Sequence, residues 1–309
     1  MTAARAVVFA YHDVGVRCLR TLISAGIQIP LVVTVADDPK EPQWFASVAR
    51  TAADHELQVI APDDANTPQI ESAVAAAQPD FIFSFYYRSL LQGPILRAAR
   101  RGAFNMHGSL LPKYRGRAPV NWAILRGEKQ TGATLHCMVE RADAGDIVDS
   151  QAVPILADDD AREVFNKVTV AAEIVLARSL PQILAGSESR VRQVIEPGQY
   201  FGRRRPEDGR IDWMRPAQEI HDLVRAVAPP FPGAFASVGR ERWSFHRTRV
   251  VKRTVSPAER ARLFGADGKC YVACHDGGVL EILAAARASG PIDLPGLAAQ
   301  LKKQPVVLS

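Results

Sequence analysis

The chain has 309 residues, 47% of them hydrophobic and 23% charged, which is enough for one large core or two domains and ordinary for a globular protein. No signal peptide is read in "MTAARAVVFAYHDVG", no uninterrupted apolar run predicts a membrane span, and four scattered cysteines (Cys18, Cys137, Cys270, Cys274) form no disulfide framework, so a cytoplasmic protein is expected. The net charge of +5 is uneven: residues 201–309 carry 18 Lys/Arg against 11 Asp/Glu, so the last third suits an anionic partner or is simply a solvated basic surface.

"RAVVFA" (5–10) predicts a buried strand ending in a loop, "YHDVG". A helix, "VRCLRTLISAG", then stops at Gly26. Strand "IPLVVTVADD" (29–38), helix "PQWFASVARTAADH", strand "LQVIAP", helix "TPQIESAVAAAQ" and strand "PDFIFSFYY" (79–87) follow, with Phe81, Phe83 and Phe85 as core. Strands alternating with helices imply a mostly parallel twisted sheet with helices on both faces, a Rossmann-like α/β fold. Ligands of such sheets lie beyond the carboxyl ends of the strands. No G-x-G-x-x-G follows the first strand and no P-loop occurs, which disfavours a nucleotide held on a glycine-rich turn.

"GAFNMHGS" predicts another strand, and "GATLHCMVE" (132–140) and "DIVDSQAVPI" (146–155) predict two more joined by "RADAG". Residues 158–186 predict one long amphipathic helix, capped by Asp160, stopped by Gly186, and kinked or restarted at Pro181. The Gly-, Arg- and Pro-rich "GQYFGRRRPEDG" reads as a linker, dividing the chain into domains 1–200 and 201–309. Beyond it, a short helix, "PAQEIHDLVRAVAP", precedes short β runs spaced as in a small β-barrel or sandwich.

The residues with chemistry concentrate in "FNMHGSLLPKYRGRAPVNW" (104–122). Asn105 and His107 are two apart on a strand, so amide and imidazole face the same side. An amide N–H can hold a developing oxyanion, and an imidazole can do so when protonated or can move a proton. Lys113, Arg115 and Arg117 crowd the next loop, which suits an anionic ligand. Asp143 or Asp146 could favour the imidazolium of His107, and spacing alone does not separate them. Tyr11, His12 and Asp13 at the end of the first strand are substrate contacts or a simple turn. Cys270, Cys274 and His275 lack zinc spacing, and no metal is expected.

"FNMHGSLLPKYRGRAPVNWAI", "GATLH" and "RADAGDIV", with "FIFSFYYRSLL", "FGRRRPEDG" and "RAVAPPFPGAFASVG", resemble the folate-dependent formyltransferases over nearly the whole chain. "AYHD", "SFYYR" and "FGRR" are similar in particular to the UDP-4-amino-4-deoxy-L-arabinose formyltransferase domains of bifunctional polymyxin-resistance proteins, which act in lipid A modification. The resemblance implies a formyltransferase domain followed by an OB-like β-barrel. It implies Asn105, His107 and Asp143 as catalytic residues, choosing Asp143 over Asp146. It implies Ser89, Leu90, Leu91, Arg117 and the run Val139, Glu140, Arg141, Ala142 and Asp143 as the N10-formyltetrahydrofolate site. Tyr11, His12, Arg115, Arg203, Arg204 and Arg205 are the weaker candidates for the UDP-amino sugar. The relatives' second, decarboxylase domain has no counterpart here, which assigns that step to a separate protein, and Phe231 stands where relatives tend to carry Trp. The expected reaction is formyl transfer through a tetrahedral intermediate to the 4-amine of the sugar. The alternatives are methionyl-tRNA formylation, for which the basic last third speaks and the sugar-branch motifs do not, and a binding module without turnover.

Overall fold

The computed structural model describes residues 3–37 and 43–308. Asp38 and Pro42, which end the expected second strand and begin the expected second helix, lie outside them. The chain forms two compact units that are interleaved along the sequence. The first takes residues 1–119, 130–154 and 166–202, and the second takes 120–129, 155–165 and 203–309.

In the first stretch, strands β1 (Arg5–Ala10), β2 (Gln28–Val33), β3 (Val59–Ile60), β4 (Phe81–Phe85) and β5 (Gly102–His107) alternate with helices α1 (His12–Ser24), α2 (Val48–Asp54), α3 (Pro68–Ala76) and α4 (Gly93–Arg97). Then come β6 (Arg115–Gly116), α5 (Pro119–Leu125), β7 (Gln130–Cys137), β8 (Ile147–Pro154), α6 (Ala161–Ala185) and β9 (Tyr200–Phe201). The main sheet has the order β3-β2-β1-β4-β5-β7-β8. Its first five strands are parallel, and β7 and β8 run antiparallel to their neighbours. The order reverses between β1 and β4, which opens a crevice beyond their carboxyl ends.

All five residues of β4 are buried, as expected of a strand covered on both faces. Phe81, Phe83 and Phe85 line one face with Phe104 of β5, whose ring stacks on Phe83 at 5.7 Å. Val7, Phe9, Leu31, Val33 and Ile82 pack on the other. Helix α1 begins at His12, four residues before the expected start at Val16. Gly15 reads as a loop residue in sequence. A Cβ there would meet Val48 at 3.0 Å and Ala10 at 3.1 Å, so the glycine serves close packing within the helix.

Helix α6 is one continuous element through Pro181. Asp160 and Glu163 cap it reciprocally: the Glu163 N–H donates to Asp160 at 2.9 Å and the Asp160 N–H to Glu163 at 2.8 Å. Gly186 follows at φ +69°. Val164, Val168, Ala171, Val175, Leu176, Leu180 and Ile183 form its buried stripe. By length and composition α6 could cross a membrane, yet half of its most apolar window is buried, as in a core helix.

The second unit holds β10 (Ala234–Val238), β11 (Glu241–Thr254), β12 (Arg262–Ala266), β13 (Lys269–Ala273), β14 (Gly278–Arg287), β15 (Gly290–Pro291) and β16 (Val306–Val307), with helices α7 (Ala217–Ala226) and α8 (Leu294–Lys303). The antiparallel sheet runs β10-β11-β14-β13-β12-β16, with β15 added to β14, and curls into an open half-barrel. Register breaks along β11 allow a 14-residue strand to curl. Trp213, Trp243, Phe245, Leu263, Leu280, Ile282 and Leu301 belong to its core. The segments borrowed from earlier in the chain are tied in by polar contacts. Asn121 donates to the Ala226 carbonyl at 2.7 Å, His221 Nε2 donates to that of Ala157 at 2.9 Å, and buried Arg225 bonds Asp222 at 2.7 Å and the Asp159 carbonyl at 3.1 Å.

Candidate active site

Strand β5 presents Asn105 and His107 on one side, as residues two apart must be. His107 is buried, and its Nε2 lies 2.9 Å from the Tyr114 carbonyl. A carbonyl only accepts, so Nε2 carries the proton and Nδ1 faces Asp143 Oδ1 at 3.5 Å. The lone pair of a neutral ring would point at a carboxylate there, whereas the imidazolium places an N–H. Asn105 Nδ2 lies 3.5 Å from the same Asp143 oxygen. The three residues singled out in sequence thus converge on one atom.

Asp143 is held from several directions. It sits at φ +50°, a conformation aspartate tolerates better than most residues. Its Oδ2 accepts from the Gly116 N–H at 2.9 Å, and its carbonyl accepts from Gln193 at 3.1 Å. The Arg115 guanidinium donates to the Ala142 carbonyl at 2.9 Å. Burial pushes the Asp143 carboxyl up, but the charge of His107 and the hydrogen bond from the Gly116 N–H outweigh it and hold the group well below the usual carboxylate range.

His136 and Gln193 are not marked by sequence reasoning. His136 lies on β7 directly opposite Asn105, in the strand "GATLHCMVE", whose first five residues carry part of the family resemblance but no role for the histidine. The signal available was the alternation of β7, which puts Thr134 and His136 on one buried face. Thr134 Oγ1 donates to the Ser109 carbonyl at 2.7 Å and accepts from the Leu111 N–H at 3.2 Å, fixing the turn after His107.

The three cations of the 113–117 loop separate. Lys113 and Arg117 are exposed, and Arg117 reaches the Arg88 carbonyl at 3.3 Å. Arg115 is only 3% exposed and braces Ala142. The loops at 89–91 and 139–143 meet where the Glu140 carboxylate lies against Gly93. Asn66 fastens the first loop by donating to the Leu90 carbonyl at 2.9 Å and accepting from the Gln92 N–H at 2.8 Å. Leu90 is 62% exposed and Val139 48%, while Leu91 is buried. Ser89, Glu140 and Arg141 are exposed and Ala142 is half-buried.

Tyr11 is buried and His12 half-buried at the end of β1. His12 stacks on Phe45 at 4.1 Å, and Arg88 lies 4.4 Å over the Tyr11 ring. Burial, aided by Arg88, lowers the His12 pKa to about 3, so this imidazole is neutral. Arg203, Arg204 and Arg205 belong to the second unit. Arg204 lies 4.9 Å over Trp122 and donates to the Asp208 carbonyl, while Arg203 and Arg205 are exposed. Cys270 and Cys274 bond the Leu294 and Val272 carbonyls, and His275 bonds that of Ala258. Among the described residues no cluster of three or more His, Cys, Asp or Glu could hold a metal.

Residues 5–180 match the sequence model of the family described as formyl transferase, and residues 204–292 match that of the formyl transferase C-terminal domain. The chain belongs to the formyl transferase family. Asn105, His107, His136 and Asp143 all fall within the first match. Among solved structures, the chain is similar to an N-formyltransferase from Helicobacter canadensis in complex with folinic acid and dTDP-3-aminofucose. That match has 19% identity and a TM-score of 0.70, covering 91% of this chain and 99% of that one. It is similar to WlaRD, a sugar 3N-formyl transferase, at 19% identity and TM-score 0.71, covering 93% and 98%. It is also similar to a 4-N formyltransferase from Francisella tularensis, at 19% identity and TM-score 0.60, covering 75% and 91%. At these identities the likeness speaks for the formyl transferase fold.

Proposed function

We propose that this formyl transferase moves a formyl group from N10-formyltetrahydrofolate to the 4-amine of UDP-4-amino-4-deoxy-L-arabinose, in the cytoplasm, with residues 1–200 carrying the chemistry and 201–309 completing the protein. The observation that carries the reading is the convergence of Asn105, His107 and an ionised Asp143 within 3.5 Å contacts. The folate supplies the electrophilic formyl carbon. Asn105 and the His107 imidazolium donate N–H groups to the charge that develops on the formyl oxygen as the amine adds. Asp143 keeps His107 charged and oriented. The proton lost by the attacking amine balances the one gained by the departing folate nitrogen, and His107 with Asp143 relays it. The exposed Leu90 and Val139, on the two loops joined at Gly93 and Glu140, offer an apolar bed that fits a flat pterin. A nucleotide-linked amino sugar as acceptor is supported by relatives of that description, and the 4-amine by the Francisella tularensis enzyme.

The test supplies N10-formyltetrahydrofolate with UDP-4-amino-4-deoxy-L-arabinose, other amino sugars and charged initiator methionyl-tRNA, and follows the formyl mass increment. Modification of the UDP sugar is expected. Efficient modification of the tRNA with a steep salt dependence would move the acceptor to nucleic acid, as the net +7 of residues 201–309 would allow. Folate binding without turnover on any acceptor would leave a binding module.

A further inference from the structure

We propose that His136 is a positioning residue that sets which edge of the Asn105 amide faces the reacting formyl oxygen, in its neutral form only. The inference rests on the role given above to Asn105. His136 is 2% exposed and cross-strand from Asn105. Its Nδ1 lies 2.8 Å from the Cys137 carbonyl, which can only accept, so Nδ1 carries a proton. The neutral ring therefore presents a lone pair at Nε2, 3.1 Å from Asn105 Nδ2. That lone pair selects the amide nitrogen over the amide oxygen. One amide N–H is committed to His136, and the second is left on the side of Asp143 Oδ1 and His107 Nδ1, where an oxyanion needs it.

Protonation of His136 reverses the preference. Nε2–H would then donate either to Asp143 Oδ1, 3.6 Å away, or to the amide oxygen of a turned Asn105. In the first case it competes with His107 for one carboxylate, and in the second it removes the amide N–H from the reaction. The groups facing His136 are Asp143 and, through that carboxylate, His107. Arg115 lies one step further, on the Ala142 carbonyl, and the Cys137 thiol on its own strand points to the other face.

Two variants separate orientation from packing. His136→Gln keeps an acceptor that can meet the amide, and His136→Leu fills space without one. The leucine variant is expected to lose about 10- to 100-fold in kcat with KM little changed, less than the roughly 10²–10³-fold cost of removing an oxyanion donor itself. The glutamine variant should recover most of that loss. Equal losses in both variants, or a loss that falls on KM rather than kcat, would overturn the proposal. Nitrogen NMR of the selectively labelled full chain reads the same point without turnover: the Nδ1–H tautomer is expected, with the Asn105 side-chain amide signal displaced in His136→Leu and largely restored in His136→Gln. An Nε2–H tautomer, or an Asn105 amide signal indifferent to both substitutions, overturns the proposal even if the enzyme formylates. The expected NMR result in a protein that formylates nothing would leave the inference standing and the functional reading fallen.

Discussion

Asp143 carries opposing demands: it is half-buried, in a left-handed backbone conformation, and ionised. A carboxyl whose pKa is lower folded than unfolded stabilises the fold fully above its unfolded pKa of about 3.9, and that contribution drains away as pH falls toward the folded value. The parent should therefore lose stability below about pH 4 more steeply than Asp143→Asn, which has nothing there to titrate. Thermal melts of both proteins at pH 7, 5 and 3 would check this, and equal acid losses would show that the carboxylate is not held in its charged form. Asp80, depressed chiefly by the Arg5 N–H, is common to both proteins and cancels in the comparison. At neutral pH the variant should be the less stable, because the buried His107 loses the carboxylate beside it.

At the scale of elements, the two-residue pair of β6 and β9 does more than its length suggests. Arg115 and Gly116 pair with Tyr200 and Phe201, Arg115 braces Ala142, and the Gly116 N–H holds Asp143. Gly116 has φ +101°, and a Cβ there would stand 2.3 Å from the Phe201 carbonyl oxygen. Gly116→Ala should cost on the order of 1–3 kcal/mol and lower kcat as Asp143 loses its donor. Gly198→Ala, at φ +82° with open space around it, isolates the cost of the backbone conformation alone. Similar melting temperatures and rates for the two variants would remove β9 from the support of the site. Periodicity located the parallel strands and α6 because their burial follows one regular face. It did not show β6 and β9, which are too short to have a period, nor α8, whose Pro295 and Gly296 read as breakers although Pro295 stands in the first turn. The Asn105 and His107 pair was legible because a strand fixes i and i+2 on one side. His136 was not, because its place opposite Asn105 depends on a pairing between strands separated by a long connection. Arg115 illustrates the same limit: a loop arginine reads as a ligand cation until burial shows what it braces.

For the molecule as a whole, the interleaving of the two compact units governs what can be cut. A fragment of residues 203–309 lacks the partners that residues 120–129 and 155–165 give to Arg225, His221 and the Ala226 carbonyl. Each buried polar group left unmatched costs about 1–3 kcal/mol. The fragment should lack a cooperative melt by circular dichroism, whereas the full chain should show one. A sharp transition from the fragment alone would mean the borrowed segments are dispensable. The same arrangement bears on how such enzymes can be recombined. A crossover between relatives at residue 202 would transplant one of the three stretches that build the second unit and leave two of foreign ancestry inside it. Any lineage that exchanges this unit must inherit 120–129 and 155–165 along with it, so residues far apart in the gene are bound to vary as a single heritable block.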